Sequence, residues 1–82
     1  MVHFLAERYV PPADRAAVAF DAGRIRAAAA RVPTVRLLQT VYLPADELCL
    51  YLFEGESAER VALLGRLAEL QLDRIRRAEV DA

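Results

Sequence analysis

The chain has 82 residues, one cysteine and almost balanced charge, with 12 acidic and 11 basic residues and a net charge of −1. This length predicts a single domain, residues 1–82, whose core is close to the smallest that is stable alone. Such a domain usually gains stability from a partner chain or a bound group. The balanced charge argues against broad nucleic-acid or anionic-membrane binding. One thiol cannot form a disulfide within the chain and favours a cytoplasmic location.

Membrane insertion is not expected from the distribution of apolar residues. The longest uninterrupted apolar run spans residues 48–53, which is far too short to cross a bilayer. Glu7 and Arg8 interrupt the N-terminal residues before the apolar core of a signal peptide could form.

The N-terminal part of the chain predicts a strand followed by a long helix. Residues 2–10 are rich in β-branched and aromatic side chains and end at Pro11 and Pro12. Residues 13–32 predict a helix, with Asp14 as its N-cap or first-turn acid and Pro33 after its end. Its buried stripe is expected to consist of Val18, Ala22, Ile25 and Ala29.

The central and C-terminal parts predict a hairpin, a second helix and a last strand. Residues 34–43 and 47–54 are two strands joined by a turn at Pro44-Ala45-Asp46. The second of these strands is apolar on both faces, which is typical of a covered strand. Ser57 is expected to cap the second helix, and residues 73–80 to form the last strand. The core stripe of the second helix is expected to be Val61, Leu64, Ala68 and Leu72.

This order predicts an α+β fold, the ferredoxin-like βαββαβ plait. Right-handed crossovers place the first and third strands at the centre of a four-stranded antiparallel sheet. Both helices then cover one face of the sheet, and the other face is left bare.

The bare face is expected to form a homodimer. If the helices lie over Phe4 and Leu50, the apolar residues of the opposite face are Leu5, Tyr9, Leu38, Cys49, Tyr51 and Phe53. The polar residues among them are His3, Glu7, Arg36, Thr40, Tyr42, Arg77 and Glu79. A face this apolar favours two sheets that face each other around a cavity, a dimeric α+β barrel. A helix-to-helix dimer through Leu63, Leu67 and Leu70 and a plain monomer are the alternatives.

The cavity between such sheets is the predicted ligand site. Its candidate ligand-binding residues are Glu7, Tyr9, Arg36, Thr40, Cys49, Tyr51 and Arg77. Inward carboxylate and guanidinium groups would orient a polar ligand, or they would form ion pairs at the rim of the sheet. His3, the only histidine, is the candidate metal ligand. No phosphate-binding glycine loop, paired-cysteine metal motif or nucleophile elbow occurs.

Four short segments resemble a known family: residues 4–11, 46–54, 57–61 and 72–75. In order and spacing they are similar to the small bacterial domain-of-unknown-function family that includes a nickel-binding, nickel-responsive protein of actinobacteria. The resemblance implies a ferredoxin-like fold, a dimer and, in some members, nickel near the subunit interface. Metal-binding members carry further histidines, whereas this chain has only His3. Nickel or another divalent metal is therefore the one cofactor that the resemblance suggests, and the residues themselves predict none.

Two functions follow from these observations. The first is a non-enzymatic, homodimeric module that binds a small molecule or a metal ion between its sheets. The second is a small enzyme of the dimeric α+β barrel type, such as an isomerase, a cyclase or a cofactor-independent monooxygenase. Such an enzyme needs an acid–base group in an apolar pocket, and Glu7 and His3 are the candidates.

Overall fold

Six main elements follow one another in the predicted order in the computed structural model, which describes residues 2–81. The strands are β1 (Val2–Tyr9), β2 (Val35–Leu43), β3 (Leu48–Gly55) and β4 (Arg74–Ala78). The helices are α1 (Ala17–Ala29) and α2 (Ala58–Leu67), and Pro12–Asp14 and Pro44–Asp46 form single turns of 3-10 helix. None of the helices in this part of the chain has the length and apolar composition needed to cross a membrane.

The four strands form one antiparallel sheet in the order β2-β3-β1-β4. The first and third strands are central, as the sequence predicts for a ferredoxin-like plait. β2 and β3 form the predicted hairpin, in which Leu43 pairs with Leu48. A bulge at Leu38 shifts the register of β2 by one residue.

Helix α1 is shorter than the predicted helix at residues 13–32. Pro11 and Pro12 lack backbone N–H groups, and the chain after them first makes the 3-10 turn that contains Asp14. Ala16 precedes α1 and offers no side-chain cap. At the other end the Ala30 N–H donates to the Ala27 carbonyl and the Arg31 N–H to the Ala28 carbonyl, so the helix tightens before Pro33 stops it.

Helix α2 begins where the sequence predicts. The Ser57 hydroxyl accepts a hydrogen bond from the Arg60 N–H at 3.2 Å, which satisfies one of the free donors of the first turn. Glu59 adds a negative charge to that turn. Val61, Leu64 and Ala68 are buried, as predicted, whereas Leu72 lies beyond the end of α2 and packs against the core from the segment that leads to β4.

The predicted orientation of β3 was wrong. Phe53 pairs with Phe4 and Tyr51 with Ala6, and all four lie in the core beneath the helices. Cys49, Tyr51 and Phe53 are fully buried, and the predicted helix-side residue Leu50 lies on the opposite face.

The reason is that β3 is apolar on both sides, so its alternation does not say which side meets the helices. Thr40 and Tyr42 pair with Tyr51 and Cys49, and Arg77 pairs with Phe4, so these three residues also lie on the helix side of the sheet. They too differ from their predicted placement.

Candidate functional site

The face of the sheet opposite the helices, here called the open face, has an apolar centre. Paired positions across the central strands bring Leu5 opposite Leu52, and the β2–β3 hairpin brings Val41 opposite Leu50. The three leucines are half-buried by their neighbours, and Val41 is 40% exposed. No helix between residues 2 and 81 covers this patch, so its side chains are free to contact another molecule.

One end of the open face carries a mixed-charge cluster on β1, β2 and β3. Glu54 pairs with His3 on one side and with Arg36 on the other in the strand register. Its carboxylate accepts a hydrogen bond from Arg36 at 3.2 Å and lies 3.9 Å from His3 Nε2.

A second charged cluster lies toward β4. The Glu7 carboxylate accepts a hydrogen bond from Arg76 at 2.7 Å and lies 4.0 Å from Arg74 Nε. Glu7 pairs with Leu50 and Arg74 in the sheet, so its carboxylate stands at the border of the apolar centre. The Glu7 side chain is only 14% exposed, which makes it the most sheltered acid on this face.

Tyr9 lies at the end of β1 and is 58% exposed. Its backbone N–H donates to the Asp73 carboxylate at 2.9 Å, which ties the start of β4 to the end of β1. The nearby Glu47 carboxylate, as a hydrogen-bond partner and as a charge, raises the pKa of the Tyr9 phenol. This side chain is therefore a neutral aromatic surface at the rim of the open face.

A separate polar cluster lies inside the molecule, between the sheet and α1. Arg8 donates to the Asp21 carboxylate at 2.6 Å, and Asp21 is the one charged residue in the buried part of residues 2–81. The Tyr51 hydroxyl is also buried and has no hydrogen-bond partner, although Arg8 and Cys49 lie close to it. Of these residues, only Arg8 is exposed to a sizeable extent, since 24% of its side chain reaches solvent.

Burial determines the protonation of this internal cluster. Desolvation raises the pKa of Tyr51, the Cys49 thiol raises it further, and Arg8 opposes the shift. Burial likewise raises the pKa of the Cys49 thiol, against smaller effects of Tyr51 and Arg8. Cys49 therefore stays a neutral thiol near neutral pH, which is the opposite of what a nucleophile requires.

The fold has a counterpart among solved structures. It is similar to the crystal structure of SCO4226 from Streptomyces coelicolor A3(2), with a TM-score of 0.71 and 23% sequence identity. The alignment covers 98% of this chain and 99% of that one. The chain matches no protein-family model and no curated protein sequence. The structural likeness shows the fold.

The predicted ligand residues divide between the two sides of the sheet. Glu7, Tyr9 and Arg36 belong to the open face together with His3, whereas Thr40, Cys49, Tyr51 and Arg77 belong to the helix side. The structure therefore does not bring the predicted set together in one cavity.

The ion pair of Arg8 and Asp21 was not predicted from the sequence. Its signal is present in the chain, because Arg8 continues the alternation of Phe4 and Ala6 toward the core and Asp21 adjoins the buried Ala22.

A complete metal site does not occur within residues 2–81. No group of three or more histidine, cysteine, aspartate or glutamate side chains is close enough to hold one ion there. His3 with Glu54 is the pair nearest to such a site, and it supplies two donors. A second copy of the chain would have to supply the others.

Proposed function

We propose that the protein is a homodimeric binding module in which the open faces of two copies enclose a site for a small ligand. The observation that carries this proposal is the uncovered apolar centre formed by Leu5, Leu50 and Leu52. Removal of such a patch from water stabilises a small domain, and no helix within residues 2–81 covers this face of the sheet.

The charges around the patch suit a second copy of the same face. Glu7 and Glu54 are acidic, and Arg36, Arg74 and Arg76 are basic. In a dimer with two-fold symmetry, one patch must complement itself, so a border with both signs allows favourable contacts in both directions. A border whose charges all had the same sign would repel the identical border of the second copy.

The ligand that fits such a cavity has an apolar body and one polar group. Leucine side chains would contact the body, and Glu7 or His3, at the border, would bind the polar group. A divalent metal such as nickel, which the family resemblance suggests, would need His3 and Glu54 from both copies. The free, buried Cys49 is compatible with our placement of the protein in the cytoplasm.

The enzyme alternative uses the same face, with Glu7 or His3 as the acid–base group. The groups whose pKa burial raises, Tyr51 and Cys49, lie on the other side of the sheet. They cannot act in a cavity between open faces. This placement favours the binding module over the enzyme.

The test is a comparison of two matched substitutions in native mass spectrometry and light scattering. Leu50→Glu puts a charge in the apolar centre and is expected to give a monomer. Phe20→Glu makes a similar change on α1, where Phe20 is 70% exposed, and is expected to leave the dimer intact. An unmodified protein that is monomeric at micromolar concentration would contradict the proposal.

The same spectra report on the ligand. A dimer purified with added mass would identify a metal ion or an organic molecule by that mass, and Glu7→Gln would test where the polar group binds. A catalytic activity of the parent that is lost in Glu7→Gln while the dimer persists would favour the enzyme alternative.

A further inference from the structure

A concave surface lies on the helix side of the sheet, opposite the open face. It is a groove of about 580 Å³ between α1 and the edge strand β2. Its apolar wall includes Val18, Ala19 and Ala22. The small side chains of the two alanines leave space along the helix, and the volume is in the range of known small-molecule sites.

A threonine on the strand side of the groove has a hydroxyl without a hydrogen-bond partner. Thr40 Oγ1 is buried and makes no hydrogen bond, although Thr40 lines the groove. Its neighbour Tyr42 lines the same groove, but its hydroxyl donates to the Val10 carbonyl at 2.9 Å. A buried hydroxyl without a partner lowers stability, and a ligand that accepts a hydrogen bond from it would remove that cost.

Two free positive charges complete the lining. Arg15 and Arg26 line the groove, are exposed, and form no ion pair with any residue from 2 to 81. They are eleven positions apart, so they lie roughly 16 Å from each other along the direction of the helix. Arg8 and Arg24, by contrast, are paired with Asp21.

We propose that this groove binds an apolar carboxylate of medium chain length. The Thr40 hydroxyl and one of the two guanidinium groups would donate hydrogen bonds to the carboxylate, and the chain would lie along Ala19 and Ala22. A bare inorganic anion would leave the alanine wall in water, and a neutral or cationic amphiphile would leave the arginines without a partner. The site is independent of the dimer, because the groove and the open face are on opposite sides of the sheet.

The test is a titration of ¹⁵N-labelled protein with decanoate below its micelle concentration, followed by NMR. We expect the amide signals of Ala19, Ala22 and Thr40 to shift together. Inorganic phosphate is the control for an anion without an apolar chain. Decyltrimethylammonium is the control for an apolar chain without an anionic group. We expect no comparable shift with either.

Matched variants assign the contacts. Thr40→Val and the double variant Arg15→Gln with Arg26→Gln should each weaken decanoate binding at least about tenfold, because each removes hydrogen bonds to a charged group. Thr40→Val should also leave the unliganded protein as stable as the parent or more so. Arg60→Gln, an exposed arginine of α2 without an ion pair in the described chain, should bind decanoate as the parent does.

Three results would overturn the proposal. One is a set of shifts at Leu5 and Leu52, which would place decanoate on the open face. Another is an equal affinity for decanoate and decyltrimethylammonium, or for decanoate and phosphate. The third is unchanged binding in Thr40→Val and in the arginine double variant. The first of these results would instead support a ligand site on the open face, whereas the dimer itself is tested separately by the Leu50→Glu experiment.

Discussion

At the scale of single residues, the polar groups buried beneath α1 are the most consequential side chains of the core. Asp21 is 4% exposed and relies on Arg8 for a partner, while Tyr51 is fully buried without a hydrogen bond. Substitutions of these two residues are therefore expected to change the stability of the fold in opposite directions. Removal of one member of a paired set leaves a charge without a partner, whereas removal of an unpaired hydroxyl takes a cost away.

We expect Asp21→Ala to lower the free energy of unfolding by about 3 kcal/mol, because it leaves the Arg8 guanidinium in the core without its carboxylate. Part of Arg8 reaches solvent, which places the loss at the lower end for a broken buried pair. Urea denaturation measures it. Asp14→Ala, an exposed acid before α1, is the control and should change stability by less than about 0.5 kcal/mol. Equal effects of the two substitutions would contradict the role of the pair.

The raised pKa values of Cys49 and Tyr51 predict that stability falls at alkaline pH. Their ordinary values are 9.0 and 10.0, and in the folded protein both groups stay neutral to higher pH. Unfolding then releases protons, so the full stabilisation is present below about pH 9 and is lost as pH rises beyond it.

Denaturation curves of the parent and of Tyr51→Phe between about pH 8 and pH 11 measure this effect. The variant should lose less stability above about pH 10, because the phenol no longer titrates on unfolding. Near pH 7 it should be at least as stable as the parent, because its hydroxyl has no partner to lose. Parallel curves for the two proteins would contradict this explanation.

At the scale of elements, the two helices differ in how their ends and interiors are stabilised. α2 has a serine cap, whereas Ala16 gives α1 none. Each helix also contains a glycine, and their surroundings differ. A Cβ at Gly23 would meet no atom within 4 Å, whereas a Cβ at Gly65 would lie 2.8 Å from Leu72 Cδ1 and 3.0 Å from its Cγ.

The two glycines therefore make a matched pair for substitution. Gly23→Ala should raise the free energy of unfolding by about 0.5–1 kcal/mol, the gain in helix propensity at an exposed interior position. Gly65→Ala has the same gain but must displace Leu72 from its contact with α2, so it should be at least about 1 kcal/mol less stable than Gly23→Ala. Thermal and urea denaturation decide the order, and an equal gain at both sites would contradict the close packing of Leu72.

Most elements could be predicted from local patterns. Pro44-Ala45-Asp46 marks the hairpin turn, and Ser57 marks the start of α2, because each position has its own backbone requirement. The start of α1 was predicted too early. Residues 13–16 have helical composition, but the proline pair before them imposes a separate 3-10 turn that composition does not reveal.

At the scale of the whole molecule, a sheet with helices on one side leaves an apolar centre exposed on the other. Leu5, Leu50 and Leu52 form it, and ion pairs border it. A dimer through this face couples folding to association, so stability should depend on protein concentration.

We expect the thermal midpoint of the parent to rise as protein concentration increases from micromolar to about a hundred times higher, because the folded dimer is favoured by mass action. Differential scanning calorimetry measures it. Phe20→Glu should keep the concentration dependence, and Leu50→Glu should abolish it. A thermal midpoint of the parent that does not change with protein concentration would contradict the proposed dimer.

The candidate sites were less predictable than the fold. The sequence selected His3, Glu7 and Arg36 for the open face, where the structure has them, because β1 and the start of β2 contain polar residues that distinguish their sides. Beyond the bulge at Leu38 the alternation of β2 is reversed, so Thr40 lies on the helix side instead. The sequence also assigned Cys49 and Tyr51 to the open face, where they do not lie. The groove beside Thr40 had no signal in the sequence, because it depends on the distance between α1 and β2.

The sequence by itself determined the order of strands and helices, the hairpin, the cap of α2 and the ferredoxin-like topology, since periodicity and turn residues act over a few positions. Only the tertiary structure decided which side of β3 meets the helices. That choice follows from the pairing of Phe4 with Phe53, which joins residues 49 positions apart. A strand that is apolar on both sides satisfies either register locally, so the packing of the whole core selects the one that buries Tyr51 and Phe53 and exposes the leucines.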